Sequence, residues 1–222
     1  MTGIKIYLLL FSGAALGYFL PELSEKIIAY KCRHKNRDPG YDARYTATFI
    51  KLGFCILNGY AWFLSGVLSG TLPAALLCSA LMTTAVLIGV IDVRVRIVPN
   101  ELVLVMLVCG TIFQVLQFGV MAILSSFFCL LVMAAVFTTV ASFIGFDKVG
   151  AGDVKLAGAM GFALGYPDIL TAMGVMAAGF LLFSLTGILL KRLTLKSMLP
   201  FAPFMMTGMV VALTYLIYRV GL

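Results

Sequence analysis

LPAALLCSALMTTAVLIGVID, residues 72–92, carries no charged residue until its last position, Asp92. A helix rises 1.5 Å per residue and a bilayer core is ~30 Å thick, so about 20 apolar residues make one crossing. This stretch therefore reads as a transmembrane helix that ends on an aspartate. Similar runs lie at 3–20, 47–69, 101–119, 121–145, 169–190 and 198–219. A shorter, glycine-rich run at 153–165 is stopped by Tyr166-Pro167-Asp168. At ~20 Å it falls short of the ~30 Å core, so it must tilt little, thin the bilayer or sit inside protein. The expectation is an all-α polytopic membrane protein of about eight helices, with residues 1–222 as a single transmembrane domain.

Composition agrees. Hydrophobic residues make up 62% of the 222 and charged residues 11%, and mean hydropathy is +1.10. Soluble domains run at roughly 45–50% apolar and about 25% charged. Disorder needs low hydrophobicity and is excluded on the same ground. The first run could be confused with a signal peptide, but its positive charge follows the run and no A-x-A site is present, so it is read as a retained span. No internal repeat supports an inverted-repeat transporter.

The net charge of +7 belongs to topology and not to nucleic-acid binding. With the N-terminus outside, the inside loops are 21–51, 92–100, 146–155 and 191–197. They hold fourteen of the 16 Lys and Arg residues, leaving Lys5 and Arg219 outside. Basic residues concentrate in cytoplasmic loops, so both termini are expected outside. Residues 21–46 form the one long polar segment, read as a short basic cytoplasmic loop. Lys26, Lys31, Arg33, Lys35, Arg37 and Arg44 cluster there and could also touch anionic lipid headgroups.

Five cysteines, Cys32, Cys55, Cys78, Cys109 and Cys129, form no CxxC pair. Four lie in apolar runs as packing residues, and Cys32 stands alone in the basic loop. The one histidine, His34, is read as solvated, and a Ser/His/Asp triad or His metal site lacks material. Of the nine acids, Glu22, Glu25, Asp38 and Asp42 fall in the polar loop as solvated charges. Asp147 lies in a loop, Asp168 in an outside turn, and Glu101 in the first turn of a helix, where the macrodipole favours it. Asp92 and Asp153 remain. Both close or open an apolar run, on the same predicted face. An ionisable residue at such a depth is costly and is a functional candidate. Gly150-Ala151-Gly152-Asp153 opens a helix, and its glycines permit unusual backbone angles or close approach of another chain. Gly158, Gly161 and Gly165 give that helix a small face for tight packing. Two aspartates brought together suit aspartyl proteolysis: one stays protonated beside the other, the ionised one takes a proton from water, and the protonated one polarises the scissile carbonyl.

Two motifs together resemble the prepilin peptidase family, membrane aspartyl proteases that process type IV pilins and pseudopilins. The first is IDVRVRIVPN at 91–100, and the second is GAGDVKL at 150–156, leading to Gly161. The aspartates stand 61 residues apart, and PFAPF at 200–204 is similar to the family's late segment. The resemblance implies that Asp92 and Asp153 are the catalytic pair, supported by Pro99, Asn100, Gly150, Gly152 and Lys155. It implies cleavage of prepilin or pseudopilin leaders at the cytoplasmic face of the bacterial inner membrane, after a glycine and before an apolar helix. Many members carry a two-CxxC insert between the first two spans. Here that place holds residues 21–46 with Cys32 alone, so peptidase activity without cofactor or metal is expected, and methylation from S-adenosylmethionine is not. Glu22, Glu25, Asp38 and Asp42 become candidate contacts for a basic leader. Two other readings are a presenilin-like GxGD protease, in which Ile91-Asp92 would replace the usual Tyr-Asp, and a non-catalytic transporter or scaffold.

Overall fold

The computed structural model describes residues 3–34, 43–144, 150–191 and 199–221. Among these, eight α-helices follow one another with no strand: α1 Gly3–His34, α2 Thr48–Leu68, α3 Leu72–Val95, α4 Asn100–Phe118, α5 Ala122–Ile144, α6 Ala151–Leu164, α7 Asp168–Leu189 and α8 Ala202–Gly221. All but α6 are long and apolar enough to cross a membrane, seven in number. The chain is a multi-pass all-helical membrane protein.

The short sixth segment is resolved by enclosure. Every residue of α6 from Leu156 to Leu164 is buried. The glycine face explains how. A Cβ on Gly161 would sit 2.7 Å from the Cys129 carbonyl oxygen of α5, and Gly158 faces Leu130 of the same helix. On another side, Gly110 of α4 approaches Ala163, and Gln114 Nε2 donates to the Ala163 carbonyl at 2.9 Å. Small residues let helices approach closely where no hydrophobic driving force separates them from lipid. Gly165, with φ of 65°, ends the helix in a conformation that other residues resist.

Residues 21–34 are not loop. The first helix runs through Pro21 to His34, 32 residues or about 48 Å. The reason is a stripe hidden by polar composition: Leu20, Ser24, Ile28 and Cys32 recur every four residues and are all buried. The apolar members of the stripe pack with Leu87 and Ile91 of α3. Cys32 is thus a core residue of α1 and not a loop cysteine. The polar residues between are paired and not simply solvated: Glu22 with Lys51, Glu25 with Arg94 at 3.1 Å, and Lys31 with Glu101 at 2.6 Å. Glu25 and Arg94 are only 10% and 12% exposed, and Arg94 also stacks 4.4 Å over the Tyr45 ring. Residues Lys35, Arg37, Asp38, Asp42, Asp147 and Lys148 lie outside the described residues, as does the side chain of His34.

A buried polar chain seats α1 and α2 on α3. Asn58 donates to the Gly13 carbonyl, Thr83 donates to Asn58, and Trp62 donates to Thr83, at 2.8, 2.9 and 2.8 Å. At the opposite end of the bundle Asp168 opens α7, buried and held by Arg219 of α8 at 2.6 Å. It is the first residue of α7 and not part of the turn at Tyr166-Pro167. The α6 packing gives a sharp expectation. Gly161→Ala should cost about 2 kcal/mol of stability through overpacking against α5 backbone. Gly174→Ala, where nothing lies within 4 Å of the new Cβ, should leave it unchanged or slightly raised. Thermal unfolding of both variants in detergent measures the contrast.

Candidate active site

Asp92 sits in the last turn of α3, and Asp153 is the third residue of α6. Both line one cavity of about 400 Å³. Its walls come from Arg96, Ile97 and Val98 after α3, Asn100 of α4, Gly150 and Gly152, Lys155, the 199–201 segment before α8, and Lys31 of α1. Topology therefore converges five parts of the chain on the two carboxylates.

The carboxylates are held differently. Asp92 is 4% exposed. It stands at the C-terminal end of its own helix, where the macrodipole opposes negative charge. The N-terminus of α8 offsets this: the Ala202 N–H donates to Asp92 Oδ2 at 3.2 Å. Asp153 stands at the N-terminus of α6, where the macrodipole favours it. The Gly150 N–H donates to Asp153 Oδ2 at 3.2 Å, and the Asp153 N–H donates to the Gly150 carbonyl at 2.9 Å. Each side chain spends one oxygen on a backbone donor.

Neither glycine of the second motif takes a special backbone angle, and only Gly152 serves close approach. Gly150 has φ of −72°, and neither it nor Gly152 has a positive φ. A Cβ on Gly152 would lie 3.2 Å from the Val98 Cβ, so this glycine lets α6 start against the loop that follows Asp92. A Cβ on Gly150 would meet little but the Asp153 carboxylate at 3.8 Å. Pro99 is buried as the N-cap of α4 and does not line the cavity, while Asn100 and Lys155 do. Five of the supporting residues read from sequence thus gather at one end of the bundle, four of them on the wall.

Lys31 and Arg96 are expected from the sequence as topogenic cations, Lys31 also as a contact for lipid headgroups, yet both line the cavity. Arg96 follows Asp92 by one helical turn and caps α3 in the left-handed region, with φ of 52°, so the spacing was a usable signal. Lys31 had none, because its place depends on α1 continuing past Pro21. Among the described residues, no three His, Cys, Asp or Glu side chains meet in a group that could hold a metal ion.

The fold and site define a class: a helical membrane protein with paired carboxylates at one end of the bundle. Residues 75–220 match the family model of the type IV leader peptidase family, and the chain belongs to that family. Comparison with curated proteins and with solved structures returned no match. The matched range contains Asp92, Asp153 and every cavity residue except Lys31.

The geometry distinguishes the two motif glycines. Gly152→Val should lower the leader-peptidase rate about 10²-fold by displacing Asp153 on the ångström scale. Val98→Ala in the same protein should recover part of the loss, and Gly150→Ala should stay near wild type. Initial rates of leader removal in membranes, normalised to protein level, give the comparison.

Proposed function

We propose that this protein is a membrane aspartyl endopeptidase, and that Asp92 and Asp153 together activate the water that removes the leader of a type IV prepilin or pseudopilin. The observation that carries the proposal is the sharing of one cavity by the two carboxylates, from different helices and inside the family-matched range. Two carboxylates at close quarters do not both ionise readily, so they hold one proton between them. The ionised member takes a proton from water as its oxygen attacks the scissile carbonyl carbon. The protonated member donates to the carbonyl oxygen. Collapse of the tetrahedral intermediate breaks the C–N bond, and the proton taken from water goes to the leaving amine.

In this reading the end of the bundle bearing the site faces the cytoplasm of a bacterial inner membrane, both termini face outward, and residues 1–222 act as one peptidase domain. The bond cleaved follows a glycine and precedes the apolar helix of the substrate. Glu22 and Glu25 are engaged by Lys51 and Arg94, which disfavours them as contacts for a basic leader. The activity is peptidase alone, without metal or S-adenosylmethionine. In the described part of residues 21–46 the one cysteine, Cys32, is 4% exposed and packs into α1's apolar stripe.

Asp92→Asn and Asp153→Asn should each lower cleavage by roughly 10³-fold or more while the protein stays in the membrane. Wild-type-like cleavage by either variant would sink the assignment. The pH profile should be bell-shaped: the rate falls toward acid as the second carboxyl gains a proton, and toward alkali as the shared proton is lost. In a separate measurement, purified protein should cleave a prepilin in the presence of a chelator. Mass spectrometry should then show an unmodified new N-terminus after incubation with S-adenosylmethionine, and a gain of one methyl group would overturn the peptidase-only claim.

A further inference from the structure

A second depression, of about 580 Å³, lies along α3 and α8. Its lining is apolar apart from Ser24, Tyr45 and Thr207. The floor is the α3 face that carries Val86, Gly89, Val90 and Val93, and α8 from Pro203 to Val211 forms one wall. Phe54 and Leu57 of α2 stand opposite. Gly89 keeps the floor low: a Cβ there would already touch the Pro203 Cα at 3.6 Å.

This groove adjoins the catalytic cavity along the α3–α8 seam, with the Asp92–Ala202 hydrogen bond between the two. Gly89 and Val93 flank Asp92 in sequence, and Pro203 follows Ala202, whose N–H holds the Asp92 carboxylate. The cavity takes Pro200 and Phe201 on one side of that hydrogen bond, and the groove takes Pro203 on the other. From Val93 to Ala85 on α3, and from Pro203 to Val211 on α8, the groove follows eight residues of helix rise, about 12 Å. It therefore begins beside the carboxylates and descends for about two turns into the apolar part of the bundle. An occupant that reaches both must place polar backbone at the aspartates and an apolar segment below them.

We infer that the groove between α2, α3 and α8 docks the first two turns of the substrate's own apolar helix, so that the bond preceding that helix is presented to Asp92 and Asp153. This rests on the peptidase reading above. The groove sets the register of cleavage: the helix start is placed against Val93 and Pro203, and the residues before it fall into the polar cavity. A second apolar depression, lined by Ile56 and Tyr60 among others, touches neither α3 nor α8 and serves as a control.

The test places a photoreactive benzophenone side chain at Val93, Val211 or, as control, Ile56 in the Asp153→Asn protein, mixed with a full-length type IV prepilin in membranes. Crosslinks from Val93 and Val211 to the first two turns after the scissile bond, with none from Ile56, are expected. In the otherwise wild-type enzyme, Val90→Trp should raise KM for the prepilin about 10-fold with little change in kcat, and Ile56→Trp should change neither. Crosslinks from Val93 and Val211 to lipid alone, while the wild-type enzyme cleaves normally, would overturn the groove and leave the peptidase standing. A wild-type protein that cleaves no prepilin would overturn both.

Discussion

A helix of 14 residues cannot cross a bilayer by its own length, and the position of Asp153 depends on how this one is accommodated. Enclosure is the solution found. Glycine and alanine at 157–163 let α4 and α5 come to backbone distance, so α6 is enclosed by its neighbours from Leu156 to Leu164. Its N-terminus, freed from any need to reach the far interface, opens at the cavity and carries Asp153 there. Were α6 a full span, the carboxylate would sit in a different relation to the end of α3.

Electrostatics then divides the two carboxylates. One is favoured by its own helix, the other is opposed by its own helix and rescued by a neighbour's. The Asp92–Ala202 hydrogen bond makes α8 part of the site although α8 contributes no ionisable side chain to it. The PFAPF segment gains a physical role from this. Phe201 stacks edge-on with Phe137 and Phe180, which fixes the turn that aims the Ala202 N–H at the carboxylate. Phe180 also meets Phe204 in the same edge-on way, so α7 braces the first turn of α8.

The extension of α1 closes the remaining side. Three ion pairs fasten its polar half to α2, α3 and α4, and Arg94, the α3 partner of Glu25, also stacks on Tyr45 of the short 3-10 turn at Ala43–Thr46. Breaking a half-buried pair leaves an uncompensated charge, which is the costly state. These contacts therefore hold Lys31 at the cavity and one rim of the apolar groove in a single arrangement.

How much of this was legible in the sequence follows from which interactions are local. Seven spans could be read because crossing a bilayer requires an unbroken apolar run, which one dimension records fully. Asp92 and Asp153 stood out because a charge ending such a run is rare and costly. The length of α6 showed that it falls short of a full crossing, but left enclosure as one of three ways to accommodate it. The sequence could not show that α1 continues past Pro21, because its stripe of Leu20, Ser24, Ile28 and Cys32 makes sense only once α3 lies against it. Nor could it show that Gly152 is spaced for Val98 and not for a turn, or that a backbone N–H from residue 202 would hold a carboxylate at residue 92. Those facts depend on which helices become neighbours. That choice is made by the packing of small residues and buried polar groups across the bundle, and no stretch of chain carries it alone.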